Sequence, residues 1–236
     1  MRIKFIQGET VDLCVPHDSD IPEWTQWIND PQTTRFLETG MFPQTEDMQR
    51  AFISGLLNAK DRVILTICDK ADVLLGTISL AGISFEKREC HISMVIPNKS
   101  KGAPYAALEA MALMITHAFE RLGVRRVYAG QAYPDLSRWN ETIELIGFFP
   151  EGLVLDGFIH GTQTSHAIKI GVYKEDYDRI KRHRGGRLLP SVKAIPDLIA
   201  RIRSKDRSHQ KILDAVSAIR AEALKSLLDE PQSDDG

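Results

Sequence analysis

The sequence predicts an α+β fold: a mixed, mostly antiparallel central sheet flanked by helices, with a helical extension at the C-terminal end. Three observations predict it. Strand-like runs occupy residues 61–70, 72–85 and 88–96, with turn signals between them, as in an antiparallel meander. A helix, a strand, a helix and two strands then follow without strict alternation. Near Tyr177 the composition changes: residues 181–211 hold ten Lys or Arg against two Asp, punctuated by Gly185, Gly186 and Pro190.

Each element has its own signal. Residues 3–15 are weakly strand-like. Residues 18–30 read as a helix: Asp18 or Ser19 is placed to cap it, Pro22 suits its first turn and Asp30-Pro31 ends it. A second helix follows Thr45 as its cap. Residues 103–121 form a third, with Leu108, Met111, Ala112, Ile115 and Phe119 on one face. Residues 123–133 read as a strand. Residues 135–147 are a helix capped by Asp135 or Ser137 and stopped by Gly147. A strand pair covers 148–160 and 164–173. In the extension, Ile212, Val216, Ile219, Ala223 and Leu227 fall on one helical stripe ahead of a polar tail. The expected division is a core domain at 1–178 and a basic helical extension at 179–236.

The 236 residues suffice to bury a sizeable core, and a hydrophobic fraction of 43% with 26% charged residues is that of an ordinary soluble chain. A net charge of −2 exerts no global pull toward nucleic acid or membrane. Three cysteines, Cys14, Cys68 and Cys90, lack metal spacing and read as buried thiols in a reducing cytoplasm. No cluster has the spacing of a metal site, and the N-terminal region has no apolar run long enough for a signal peptide or membrane span.

The stretch "HISMVIPNKSKGAPYAALEAM" runs from an apolar strand through a small basic turn into a long helix. A helix N-terminus after a strand offers unpaired N–H groups and the positive end of the macrodipole, which suits an anion such as phosphate. Gly102 permits close backbone approach, and Lys99 and Lys101 add charge. A solvated basic loop entering a helix is the other reading of the same residues.

The order of elements, the "KSKGAPYAALEAM" loop and helix start, and the later "NETIELIGFFPEG" resemble the GNAT superfamily of acyl-CoA N-acyltransferases. Lys99, Gly102 and Leu108 to Ala110 match the family's loop and helix pattern; Gly147, Phe148, Glu151 and Gly152 match its later ending. The resemblance spans residues 27–177. "WIND" with "TRFLETGMFPQTEDMQRAF" is similar to the subgroup of ribosomal-protein alanine and aminosugar acetyltransferases. Two positions depart from the pattern. Pro104 replaces Gly or Ala and removes one N–H donor. Ile143 stands where a tyrosine often protonates the departing thiolate.

The resemblance implies acetyl-CoA as cofactor. The loop, Lys99, Lys101, Gly102, Ala103, Pro104 and Tyr105, would hold its phosphates. Backbone groups of Met94, Val95 and Ile96 would hold its pantetheine and thioester. Asn140 is nearest to the family's asparagine in the following helix, and Ser137 or Tyr133 is placed to donate to the leaving thiolate. Strand parity puts Glu89, His91 and Ser93 on one face, so His91 is the expected base and Glu89 its orienting partner or alternative. A wet polar sheet face is the competing reading. Trp27, with Trp24, either walls an acceptor pocket or belongs to the core. Asn29 either contacts substrate or ends its helix. His160 and His166 read as surface residues.

Three functions follow: N-acetylation of a small-molecule amine, such as an aminosugar nucleotide; acetylation of protein N-termini; or an acyl-CoA- or partner-binding module without turnover. The basic extension either docks through its stripe, on the core or in a homodimer, or contacts nucleic acid or the ribosome, or holds an anionic acceptor. The stripe favours docking. No membrane contact is expected.

Overall fold

The computed structural model describes residues 2–37, 39–97, 105–160, 162–204 and 208–228. Its elements are β1 (Lys4–Gln7), β2 (Val11–Cys14), α1 (Ile21–Asn29), α2 (Glu46–Asn58), β3 (Val63–Asp69), β4 (Leu74–Ser84) and β5 (Glu89–Val95). There follow α3 (Ala106–Glu120), β6 (Arg126–Tyr133), α4 (Ser137–Ile143), β7 (Phe149–His160), β8 (Gln163–Tyr173), α5 (Lys174–His183), α6 (Ile195–Arg203) and α7 (Ser208–Leu228). The strands form one eight-stranded sheet in the order β1-β2-β3-β4-β5-β6-β8-β7. Every pairing is antiparallel except that of β5 with β6, which α3 connects. The fold is the expected mixed α+β arrangement.

Alternation along the strands feeds two cores. On β3, Leu65 and Ile67 join the main cluster around α3, while Ile64 and Cys68 join a second cluster with Ile21, Trp24, Trp27 and Ile28 of α1 and Ile53 of α2. The α3 face is apolar almost throughout, with Leu108, Met114, Ile115 and Ala118 fully buried. Cys14, Cys68 and Cys90 are buried free thiols.

Several local expectations need correction. The weak opening segment is a hairpin of two strands, not one. Its turn sits on Glu109 of α3, whose carboxylate accepts from the Thr10 N–H at 2.9 Å and also from the Glu9 N–H and the Thr10 hydroxyl. A Cβ on Gly8 would stand 2.5 Å from that carboxylate, so glycine is required by the close approach. Before α1, neither Asp18 nor Ser19 is the cap: His17 caps a short 3-10 turn and exchanges bonds with Asp20. Thr45 caps α2 as expected, accepting from Met48 N–H at 3.3 Å. Leu136, not Asp135 or Ser137, precedes α4; Ser137 is its first residue. Gly147 ends that segment with φ +97°.

The expected boundary between residues 178 and 179 falls inside α5. Tyr177, Leu188, Ile195 and Ile199 all belong to the main core. α6 packs on α4, and α7 packs on β7. Of the predicted stripe, Ile212 and Val216 are half-buried, Ile219 and Ala223 are exposed, and the Leu227 side chain lies outside the described residues. Among the described residues, no helix is long and apolar enough to cross a membrane.

Candidate active site

The parallel pair opens into a wedge. β5 and β6 are in register only at Glu89↔Arg126, Cys90↔Val127 and His91↔Tyr128. Beyond that point β5 follows β4, up to Thr77↔Val95, and β6 follows β8, up to Tyr133↔His166. Gly76 on β4 makes this divergence possible. A Cβ there would lie 2.3 Å from the Val95 carbonyl oxygen and 3.0 Å from the Ile96 side chain. Any larger residue would displace the end of β5, because backbone is the obstacle. Met94 and Val95 are half-buried along the edge so opened, and Ile96 follows them.

At the closed end of the wedge, Glu89, His91, Arg126 and Tyr128 share one sheet face, as parity predicts. His91 meets Tyr128 edge-on at 5.5 Å. The Arg126 guanidinium lies over the Tyr128 ring at 4.6 Å, donates to Glu89 at 2.8 Å and forms a two-point pair with Glu151 on β7. Arg126 is the first cause holding the Glu151 carboxyl below the usual range; Tyr173, donating at 2.9 Å, acts in the same direction against burial. Glu89, one of the two expected proton-handling residues, is therefore bound into a charged network that fixes the base of the wedge.

The open end gathers α3, α4 and the start of α7. Lys99, Lys101, Gly102, Ala103 and Pro104 lie outside the described residues. Tyr105 follows them as the residue before α3, with φ +68°. Ser137 is half-buried at the start of α4. Asn140, one turn on, is 1% exposed, and neither its amide oxygen nor its amide nitrogen has a hydrogen-bond partner among the described residues. An unpaired buried amide costs roughly 1–3 kcal/mol, so this position is built for a partner. From α7, Gln210 accepts from the Tyr133 hydroxyl at 3.2 Å, and the His209 ring lies 6.0 Å from the Tyr133 ring.

A cavity of about 400 Å³ adjoins the same end. Arg35 and Phe36 from the α1–α2 connection form one wall. Tyr133 to Asp135, at the end of β6, form another, and Phe158 with residues 163–166 of the β7–β8 hairpin close it. Arg35 pairs with Asp135 at 3.3 Å and stacks on Phe36 at 4.9 Å; the Ser165 hydroxyl donates to the other Asp135 oxygen at 2.5 Å.

Trp27 does not line this cavity: with Trp24 it is packed in the second core. Asn29 clamps the α1–α2 connection, donating to the Gln44 carbonyl and accepting from the Gln44 N–H, both at 2.8 Å. His166, read from sequence as a surface residue, lines the cavity instead. Among the described residues no group of three or more His, Cys, Asp or Glu is placed to hold a metal ion.

The model of the GNAT acetyltransferase domain matches residues 13–134, just over half of the chain. The chain belongs to the GNAT acetyltransferase family. No curated protein matches it. Among solved structures, this GNAT chain is similar to a spermidine N-acetyltransferase from Vibrio cholerae in complex with CoA and spermine, at TM-score 0.64 and 15% identity over 72% of this chain and 99% of that one. It is also similar to a protein of T. thermophilus named as an acetyltransferase, at TM-score 0.62 and 24% identity over 78% of this chain and 95% of that one. These likenesses are of fold.

GNAT acetyltransferases use acetyl-CoA, and the residues present fit it. The wedge leaves the β5 edge open, and Asn140 is an orphaned buried amide on α4. Arg35, Asp135, Phe158, His209 and Gln210 escaped the reading of the sequence. Asp135 was visible there only as a cap candidate, and nothing in a linear pattern tells that a C-terminal helix returns to the end of β6.

Proposed function

We propose that this GNAT acetyltransferase transfers an acetyl group to the nitrogen of a small-molecule amine. The observation that carries the reading is the wedge between β5 and β6, with the orphaned Asn140 and an aromatic-walled cavity at its open end. A volume of about 400 Å³ lies in the usual range for a small-molecule site.

When bound, acetyl-CoA supplies the thioester: the amine forms a new N–C bond to the acetyl carbon, the C–S bond breaks, and the sulfur leaves as a thiolate. The chain's own residues hold and deprotonate. The β5 edge from Met94 to Ile96 and the Asn140 amide bind the pantetheine arm, and the loop from Lys99 to Tyr105 takes the phosphates. An ammonium cannot attack, so a base must accept its proton. Imidazole ordinarily titrates at about 6.5, which suits that task near neutral pH. His91, the base expected from sequence, pairs with Tyr128 at the closed end of the wedge, five residues before Tyr133 on β6, so from there it serves only through a chain of water to the cavity. Glu89 on the same face is held by Arg126 at 2.8 Å. The Tyr133 or Ser137 hydroxyl would supply the proton to the leaving thiolate. Gln210 and His209 of α7 lie against Tyr133.

The test is release of free thiol from acetyl-CoA in the presence of a panel of amines, with CoA binding followed separately by thermal shift. Binding of CoA with thiol release on adding a small amine supports the reading. Binding with no release for any small amine or peptide leaves a binding module and overturns it; release with N-terminal peptides alone replaces it with protein acetylation.

A further inference from the structure

We propose that the acceptor is an amine that also carries an anionic group, a carboxylate or a phosphate, and that a polyamine is a poor substrate. The proposal rests on the cavity beside Tyr133 being the acceptor site.

Charge balance decides the class. Among the described residues lining the cavity, Asp135 is the one carboxylate and Arg35 the one permanent cation. They pair at 3.3 Å, so the lining is close to neutral. An amine with two or three ammonium groups would satisfy Asp135 once and then face the Arg35 guanidinium. Two like charges about 4 Å apart near a protein surface repel by several kcal/mol before screening. An acceptor carrying both signs meets both side chains: ammonium to Asp135, anion to Arg35.

The pair is also arranged to be exchanged for a ligand. Arg35 is 52% exposed and reaches Asp135 by a single contact. Exposed ion pairs of that kind are worth about 0–1 kcal/mol, so opening this one costs little. A carboxylate or phosphate can take two parallel N–H donors from a guanidinium, which is the stronger arrangement. Arg35 keeps its plane through stacking on Phe36, and Asp135 keeps its place through the Ser165 hydroxyl. Both charges are thus held in position. Phe36, Tyr133 and Phe158 supply apolar walls for the body of the ligand.

The experiment uses matched acceptors with the full-length protein and acetyl-CoA. One pair is an α-amino acid and its amide, a second is glucosamine 6-phosphate and glucosamine, and spermidine stands alone. Thiol release gives kcat/KM for each. The anionic member of at least one pair should exceed its neutral partner roughly tenfold or more, which corresponds to about 1.4 kcal/mol. The pair that shows the ratio tells whether carboxylate or phosphate is the anion. Arg35→Gln should collapse the ratio toward one, chiefly through KM. Arg35→Glu should move preference toward spermidine while CoA affinity by thermal shift stays as in the parent protein. Spermidine as the best acceptor of the parent, or equal rates within both pairs, overturns the proposal and leaves the transferase reading standing. No turnover of any acceptor overturns both.

Discussion

The Tyr133 hydroxyl donates to the side-chain oxygen of Gln210 at 3.2 Å, joining the last residue of β6 to the third residue of α7 across 77 positions of sequence. Tyr133 also lines the proposed acceptor cavity, and the buried His209 ring lies beside it. The C-terminal extension is thereby tied to the site. Gln210→Leu removes the acceptor of that hydrogen bond, one of the contacts that place the phenol. We expect KM for the amine to rise severalfold, with CoA affinity and melting temperature little changed, since a partly exposed hydrogen bond is worth about 0.5–1.5 kcal/mol. An unaltered amine KM in the variant, measured at saturating acetyl-CoA, would show that α7 has no part in placing Tyr133.

Gly76 provides a sharper probe of the wedge. Its absent Cβ is what admits the Val95 carbonyl. Gly76→Ala must shift β5, because backbone rather than a flexible side chain is the obstacle. The variant should lose stability by roughly 1–3 kcal/mol, the usual range for overpacking. It should also bind CoA more weakly than stability loss alone explains, because the displaced β5 edge is the proposed contact for the pantetheine arm. Retained CoA affinity in a folded Gly76→Ala protein would mean that the β5 edge does not contact the cofactor.

The sequence disclosed the sheet and most helix limits because they rest on local signals. Periodicity marked α3, Thr45 and Gly147 marked two helix ends, and strand parity correctly grouped Glu89 with His91. It failed where the decisive contact is distant. The β1–β2 hairpin is shaped by Glu109, about a hundred residues away, so its four-residue strands carry little pattern of their own. Trp27 and Asn29 were readable as pocket residues or as core and helix end; only packing between α1, α2 and β3 separates these. The extension looked separable because its composition is basic, yet Leu188, Ile195 and Ile199 complete the main core. Arg35 and Asp135 are a hundred residues apart and meet only after the sheet has formed.

Asn140 separates binding from stability. Replacing a buried amide that lacks partners by an apolar residue of similar volume removes a desolvation penalty. Asn140→Leu should therefore melt at the same temperature as the parent or higher in the absence of ligand. With CoA added, the parent should gain thermal stability and the variant much less. A tenfold weaker Kd corresponds to about 1.4 kcal/mol, well within one or two hydrogen bonds to an amide. Equal CoA-induced shifts in parent and variant would remove Asn140 from the cofactor site.

Acid sensitivity should trace to two imidazoles, the buried His209 and the half-buried His117. Burial holds His209 below its ordinary value of 6.5, with Glu141 pulling weakly the other way. Burial, aided by Arg121, does the same to His117 on α3. The folded chain thus keeps both rings neutral at pH values where the unfolded chain protonates them. As pH falls through about 6.5, the unfolded state takes up protons that the folded state refuses, so stability declines with acidification and the loss ends only below the folded pKa values. Each ring contributes at most about 1.4 kcal/mol per pH unit. His209→Gln removes one of the two titrations, so unfolding free energy measured by denaturant between pH 7.5 and 5.5, a window spanning roughly one unit either side of the free-histidine value, should fall less steeply in the variant. Carboxylates interfere little there, because their ordinary values lie near about 4. His117→Gln should flatten the same window independently, since α3 and the start of α7 are separate elements. A slope equal to the parent's in both single variants would show that neither imidazole is held neutral by the fold.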